Sequence, residues 1–275
     1  MTRYGMAVPA AILLVSFSLT SAGQTTDESA SVARYTAPVQ TPAQGAPTPG
    51  QSQLSPEDMA DLLMARKEYH EAALSYRKLL DSSPKNAIYW NKLGIALHQQ
   101  QELSSALKAY QYAVKADPKY ADAQNNIGTI WYQRKKYGKA IRSYQRAIKL
   151  KADMAVLYSN LGYAYFGDKK YTDSIAAFRQ ALALDPQVME HASSRGGSLL
   201  QDRSVTDRGR FYFLLAKSFA ESGNFDRSLS YLRKAKEEGY GAMNEVKTDP
   251  AFSAMLKMPE TQEILLPKSG DPTLQ

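Results

Sequence analysis

The side chains that most often do covalent chemistry are sparse in this chain, and their spacing does not suit it. His70, His98 and His191 are its imidazoles, and no two fall at helical spacing. A Ser–His reading of EHASS (190–194) lacks a third partner and an oxyanion site. Glu190 with His191 makes too few ligands for a metal. The absence of cysteine removes thiol nucleophiles, thiolate metal sites and disulfides together. Neither a G-x-S-x-G elbow nor a glycine-rich phosphate loop followed by Lys-Ser or Lys-Thr occurs. The expectation is a non-enzymatic protein with no cofactor and no metal. What remains to meet a partner is asparagine and aromatic chemistry. A carboxamide both donates to and accepts from a peptide backbone. An aromatic face gives contact area with little entropy to lose.

The elements that would position such groups follow from an internal repeat. Residues 87–120, 121–154 and 155–188 align without a gap. Gly94, Gly128 and Gly162 form one column, and Ala106, Ala140 and Ser174 a second. Ala113, Ala147 and Ala181 form a third, and Tyr110, Tyr144 and Phe178 a fourth. Each window holds two stretches with helical apolar spacing, separated by polar turns such as QQQELS and GDKKYTD. Small residues on facing helices permit close approach, and the aromatic column fills the space beside them. Pro118 and Pro186 cannot continue a helix and end two of the windows; Ala152 stands in that place in the middle one. One pair cannot bury its own apolar face, whereas stacked pairs share a continuous core.

Trp90, Leu93, Gly94, Leu97, Ala106, Tyr110, Ala113 and Pro118 resemble the tetratricopeptide repeat, whose period and pattern these are. The resemblance covers roughly residues 53–242 and implies an all-α fold: a right-handed superhelical stack of antiparallel helix pairs. It also implies that the first helix of each pair lines a concave groove. The groove positions are then Asn91, Ile95 and His98 in one repeat and Asn125, Asn126, Thr129 and Tyr132 in the next. Asn160, Tyr163 and Phe166 follow, then Phe213 and Lys217. Some members grip a terminal carboxylate with lysine and asparagine. Here Asn91 and Asn125 stand where the basic residue is needed, and Ile95 and Thr129 where the asparagine is needed. Binding of that kind is not expected. A protein or peptide segment in the groove is the expected partner. The alternative is an assembly factor of an envelope machine, such as pilus or outer-membrane biogenesis, working through its convex face.

Two weaker copies flank the three. Residues 53–86 place Ala72, Tyr76 and Pro84 in register and are expected to put Asp61 where glycine stands elsewhere, which suits an end repeat. Residues 209–242 place Tyr212, Leu215, Ala216, Phe219, Ser228 and Ala235 in register, but begin 20 residues late. The excess, 189–208, is either slack or a functional insertion, with Thr206 or Asp207 able to cap the helix that follows. Phe252, Met255 and Leu256 share a face and predict a capping helix, followed by a closing segment at Ile264–Leu266. The repeat domain is expected over 55–266 and a tail over 267–275.

Before the repeats, Arg3, an apolar run from Met6 to Leu19 and the small residues TSAG have the order of a signal peptide over 1–23, cut after Ala22. An uncleaved anchor is the alternative. Export to a periplasm or beyond is the expectation. Residues 24–54 are rich in Pro, Gln and Thr and read as a disordered linker. Charge is uneven: Arg134, Lys135, Lys136, Lys139, Arg142, Arg146, Lys149 and Lys151 face only Asp122 and Asp153 in their window. Such a convex patch suits an anionic surface. Without aromatic interleaving, and with export, nucleic acid is not expected. The chain is read as a monomer or a subunit of a larger complex.

Overall fold

The computed structural model describes residues 54–189 and 207–266. The expected signal peptide, nearly all of the linker, the bulk of the 189–208 insertion and the C-terminal tail lie outside the described residues. Among the described residues there are α-helices and 3-10 turns and no strand. Five antiparallel pairs follow one another: α1 (Pro56–Ala65) with α2 (Tyr69–Ser82), α3 (Ala87–Gln99) with α4 (Leu103–Ala116), and α5 (Ala121–Gln133) with α6 (Tyr137–Leu150). Then come α7 (Ala155–Gly167) with α8 (Tyr171–Leu184) and α9 (Arg208–Glu221) with α10 (Phe225–Glu237). Each helix packs mainly on the one before and the one after it, and α5 also touches α7.

The small-residue column has a plain steric cause. A Cβ on Gly94 or Gly128 would sit 2.5 Å from the ring of Tyr110 or Tyr144, and one on Gly162 2.6 Å from Phe178. The rings are fully or almost fully buried. The second column is filled by alanine or serine for a related reason. Ser174 Oγ donates to the Gly162 carbonyl at 2.9 Å and Ser228 Oγ to the Ala216 carbonyl at 2.8 Å, tying the two helices of a pair at their closest point.

Every pair turns in the same way. Lys67, Gln101, Lys135 and Lys169 adopt φ of 63, 64, 56 and 60°, and Gly223 in the last pair 78°. At the third turn, Lys136 N–H reaches the Trp131 carbonyl and Lys135 N–H the Tyr132 carbonyl, the paired bonds of a Schellman helix end. Glycine normally takes this left-handed place; four of these five turns use a residue with a side chain. Proline is not required at the other end, since α6 stops at Leu150 in register although Ala152 replaces the proline.

The register of the first pair differs from expectation by one residue. Ala60, fully buried and 34 positions before Gly94, occupies the glycine place. Asp61 stands one residue on, accepts a hydrogen bond from Tyr76 Oη at 2.5 Å and holds Lys92 Nζ at 2.7 and 2.8 Å. The C-terminal cap also differs. No α-helix runs through Phe252–Leu256. Instead 3-10 turns at Met243–Lys247 and Pro250–Phe252 lead to a short α11 (Pro259–Leu265). Pro250 opens the second 3-10 turn and Pro259 opens α11, each in the first-turn place that proline tolerates. Phe252, Met255 and Ile264 still reach the core as the apolar pattern requires, while Leu266 is exposed.

Candidate functional site

The first helices α3, α5 and α7 lie side by side, and the asparagines expected to line a groove bond to one another across them. Asn126 Nδ2 donates to Asn91 Oδ1 at 3.0 Å, and Asn160 Nδ2 to Asn125 Oδ1 at 2.9 Å. Each bond joins the sixth residue of one repeat to the fifth of the repeat before. The rule extends to the first pair, where Lys92, in the sixth place, bonds Glu57, in the fifth, at 3.3 Å. Asn91 passes its own amide to Tyr120 Oη at 3.3 Å. The result is a polar ladder between repeats, capped at its N-terminal end by an ion pair.

The other expected groove residues are placed as follows. Thr129 accepts a hydrogen bond from Tyr144 Oη at 3.3 Å and is buried. Tyr132 packs edge-on against Tyr137 at 5.4 Å. Tyr163 meets Phe178 edge-on and stacks on Phe211, both at 5.3 Å between centroids, and Phe166 meets Phe211 at the same distance. Phe213 stacks on Tyr240 at 4.8 Å and touches Phe252. Lys217 is committed to Asp249 at 2.5 Å and so ties α9 to the cap. Ile95, His98 and Lys217 keep partial exposure, while the remaining nine are buried. Removing the packing columns of a single repeat therefore does not leave an exposed face, because the same positions also pack repeat against repeat.

Two features of this face bear on recognition. His98 Nε2 lies 2.9 Å from Gln133 Oε1, joining the C-terminal turns of α3 and α5. Burial lowers its pKa, and the bond to Gln133 opposes that only in part, so the ring is neutral at pH 7. Deeper in, Asn125 lends Oδ1 to Asn160, but its Nδ2 is buried without a hydrogen-bond partner. A buried donor left unpaired costs about 1–3 kcal/mol. Among the described residues, no group of three or more His, Cys, Asp or Glu could hold a metal.

Sequence comparison agrees with this architecture. Models of the tetratricopeptide repeat match residues 57–121, 155–188 and 209–238, and a TPR repeat model matches 128–169. The chain belongs to the tetratricopeptide repeat family. Family matches stop at 188 and resume at 209, leaving out the insertion. No curated protein matches the chain. Among solved structures, a crystal structure of MamA is similar at 21% identity over 68% of this chain and 98% of that one, with a TM-score of 0.48. MamA from Desulfovibrio magneticus RS-1 shares 16% identity over 70% and 96%, at 0.48. YrrB, described as a TPR protein with an unusual peptide-binding site, shares 17% over 69% and 87%, at 0.45.

The basic residues divide by role. Arg134 reaches Ser104 Oγ at 2.9 Å and lies 5.7 Å from the Trp131 ring, while Lys139 sits 4.3 Å over that ring. Lys135 and Lys136 form the turn into α6. Arg142, Arg146 and Lys149 are exposed along α6. The Ser–His–Glu grouping at 190–194 lies outside the described residues, and no helix among those described is long and apolar enough to cross a membrane.

Proposed function

We propose that this chain is an exported interaction scaffold whose first-helix face binds an extended peptide segment of a partner protein. The fold supports the coarser half of that reading, since tetratricopeptide arrays are protein–protein interaction modules. The observation that carries the finer half is the unpaired Nδ2 of Asn125. The amide is fully buried in the unbound stack, so a peptide carbonyl supplies the acceptor it lacks only when the side chains over it move aside on binding. Neutral His98 and half-exposed Ile95, one repeat earlier, extend the contact along the same face. The order of charge, apolar run and small residues at 1–23 supports export.

The test uses two adjacent asparagines, each engaged in one rung of the ladder, with different donors to offer. Peptides are selected from a displayed random library on the full chain, and the affinity of the best is measured against Asn125→Ala and Asn126→Ala. Each variant breaks one rung, but only the first removes the free donor. A loss of tenfold or more for Asn125→Ala, with Asn126→Ala close to the parent, supports the reading. Equal effects, or failure to select any peptide, overturn it. Export is checked separately: N-terminal sequencing of the protein from the producing cell is expected to start at Gly23.

A further inference from the structure

The second helices of the second and third pairs present a basic face that nothing in the ladder uses. On α6, Lys139, Arg142, Arg146 and Lys149 recur at intervals of three and four, so they share one stripe, and all are exposed. On α4, Lys108 and Lys115 hold the places of Arg142 and Lys149 one repeat earlier and are also exposed. No ion pair engages any of the six among the described residues. Two apolar side chains break this basic surface: Tyr112, 49% exposed, between the two lysines of α4, and Leu150, 40% exposed, beside Lys149. The face ends abruptly. The same rows carry Asp173, Ala176, Gln180 and Ala183 on α8, and Glu71, Leu74, Lys78 and Asp81 on α2.

We propose that the outer face of α4 and α6 docks on the anionic headgroups of a phospholipid bilayer. Five of the six cations are held by no hydrogen bond, ion pair or ring among the described residues, and Lys139 only by the Trp131 ring. Such side chains suit diffuse negative charge that each can reach independently, rather than a partner that fixes donors in pairs. Tyr112 and Leu150 add what a purely electrostatic site lacks. An aromatic residue with a polar tip sits at headgroup level, and a leucine beside it reaches the acyl boundary. Each cation close to an anionic leaflet multiplies binding about fivefold.

The full chain is sedimented with vesicles of phosphatidylcholine alone or with a third of phosphatidylglycerol. The apolar run at 6–19 is the same in every variant, so differences between variants report on the α4–α6 face. Binding to the anionic vesicles above the neutral ones is expected, falling steeply with added salt. Lys139→Glu, Arg142→Glu, Arg146→Glu and Lys149→Glu together are expected to lower it by about a hundredfold or more. The same number of reversals at Arg66, Arg77, Lys78 and Lys85, all exposed on the first pair, is expected to change it only a few fold. Tyr112→Ala is expected to weaken binding several-fold with no change of charge. Circular dichroism and Tm confirm that each variant is folded. Equal losses from the two reversal sets, equal binding to neutral vesicles, or capture of polyglutamate in place of vesicles each overturn the proposal.

Discussion

Between α5 and α7 the first helices meet through an amide pair, Asn125 with Asn160. Between α7 and α9 the corresponding contact is made of rings. Phe211 touches Tyr163, Phe166 and Phe178, and Leu214 takes the place that asparagine held in the two repeats before. Its would-be partner, Ser159, turns instead to Met189 at 3.6 Å. The two contacts differ in what they demand. An amide rung fixes register, because a slip of one residue leaves buried donors and acceptors unpaired. Ring packing is less directional and gains mainly from the area it buries. The polar rungs occur where 34-residue spacing holds. They stop where the chain takes its longer path between α8 and α9. Rungs need a fixed offset between neighbours, and the ring cluster supplies stability where the connection does not impose one.

The aromatic contact is expected to be the more sensitive to truncation. Phe211→Ala removes a fully buried ring from the centre of the cluster and is expected to cost about 3–5 kcal/mol by urea unfolding. A loss below about 1 kcal/mol would show that the fifth pair adds little to the cooperative unit. Asn126→Ala is expected to cost about 1–3 kcal/mol, because it leaves Asn91 Oδ1 buried and unpaired. Replacing both, Asn91→Leu with Asn126→Leu, copies the apolar character of the α7–α9 contact and should recover most of that loss. Failure to recover it would mean that the rungs supply net stability as well as register.

The turns provide a smaller contrast along the same division. Gly223→Lys puts a side chain where the fifth pair uses glycine at φ 78° and is expected to cost about 1 kcal/mol. Lys135→Gly relieves the same conformation in the third pair, but gives back part of the gain as backbone entropy. A stabilisation of about 0.5 kcal/mol is expected, read as a shift in the urea midpoint.

Acid should loosen the polar contacts first. Burial lowers the His98 pKa below its ordinary 6.5, so the stability linked to the neutral ring is complete above that value and is lost as pH falls through the folded one. Asp61 behaves in the same sense at lower pH. Burial raises its pKa, but the bonds from Lys92 and Tyr76 outweigh that, so its contribution is complete above about 3.8 and is lost below. Amide protection factors, which divide out the pH dependence of intrinsic exchange, are expected to fall in α1, α3 and α5 before α7 and α9 as pH drops from 7 to about 3. His98→Gln should flatten the upper part of that response and Asp61→Asn the lower part. Simultaneous loosening of all five pairs would remove the distinction between the two kinds of contact.

Much of this was legible in the sequence. The columns Gly94–Gly128–Gly162 and Tyr110–Tyr144–Phe178 disclosed the pairing because the same close contact recurs in every copy, and its steric demand admits few residue types. A cap at Thr206 or Asp207 was legible, and it is Asp207 whose carboxylate accepts from Arg210 N–H at 3.0 Å. The cap after the fifth pair was legible only as apolar spacing, since Phe252 at the end of a 3-10 turn and Met255 in the turn after it bury themselves as well as a helix would bury them. The fates of Asn91, Asn125, Asn126 and Asn160 were not legible. A polar residue between packing columns looks the same whether it faces water, a peptide or its counterpart in the next repeat.

That this chain folds as stacked helix pairs follows from its sequence alone, because helical periodicity and small-against-large packing are local and repeat every 34 residues. Which polar groups are spent within the stack and which are left over is settled by the packing of repeat on repeat. That depends on the offset between neighbouring repeats, which brings the sixth residue of one to the fifth of the last. Asn160 therefore bonds Asn125, and the second amide hydrogen-bonding group of Asn125 is left with nothing to bond.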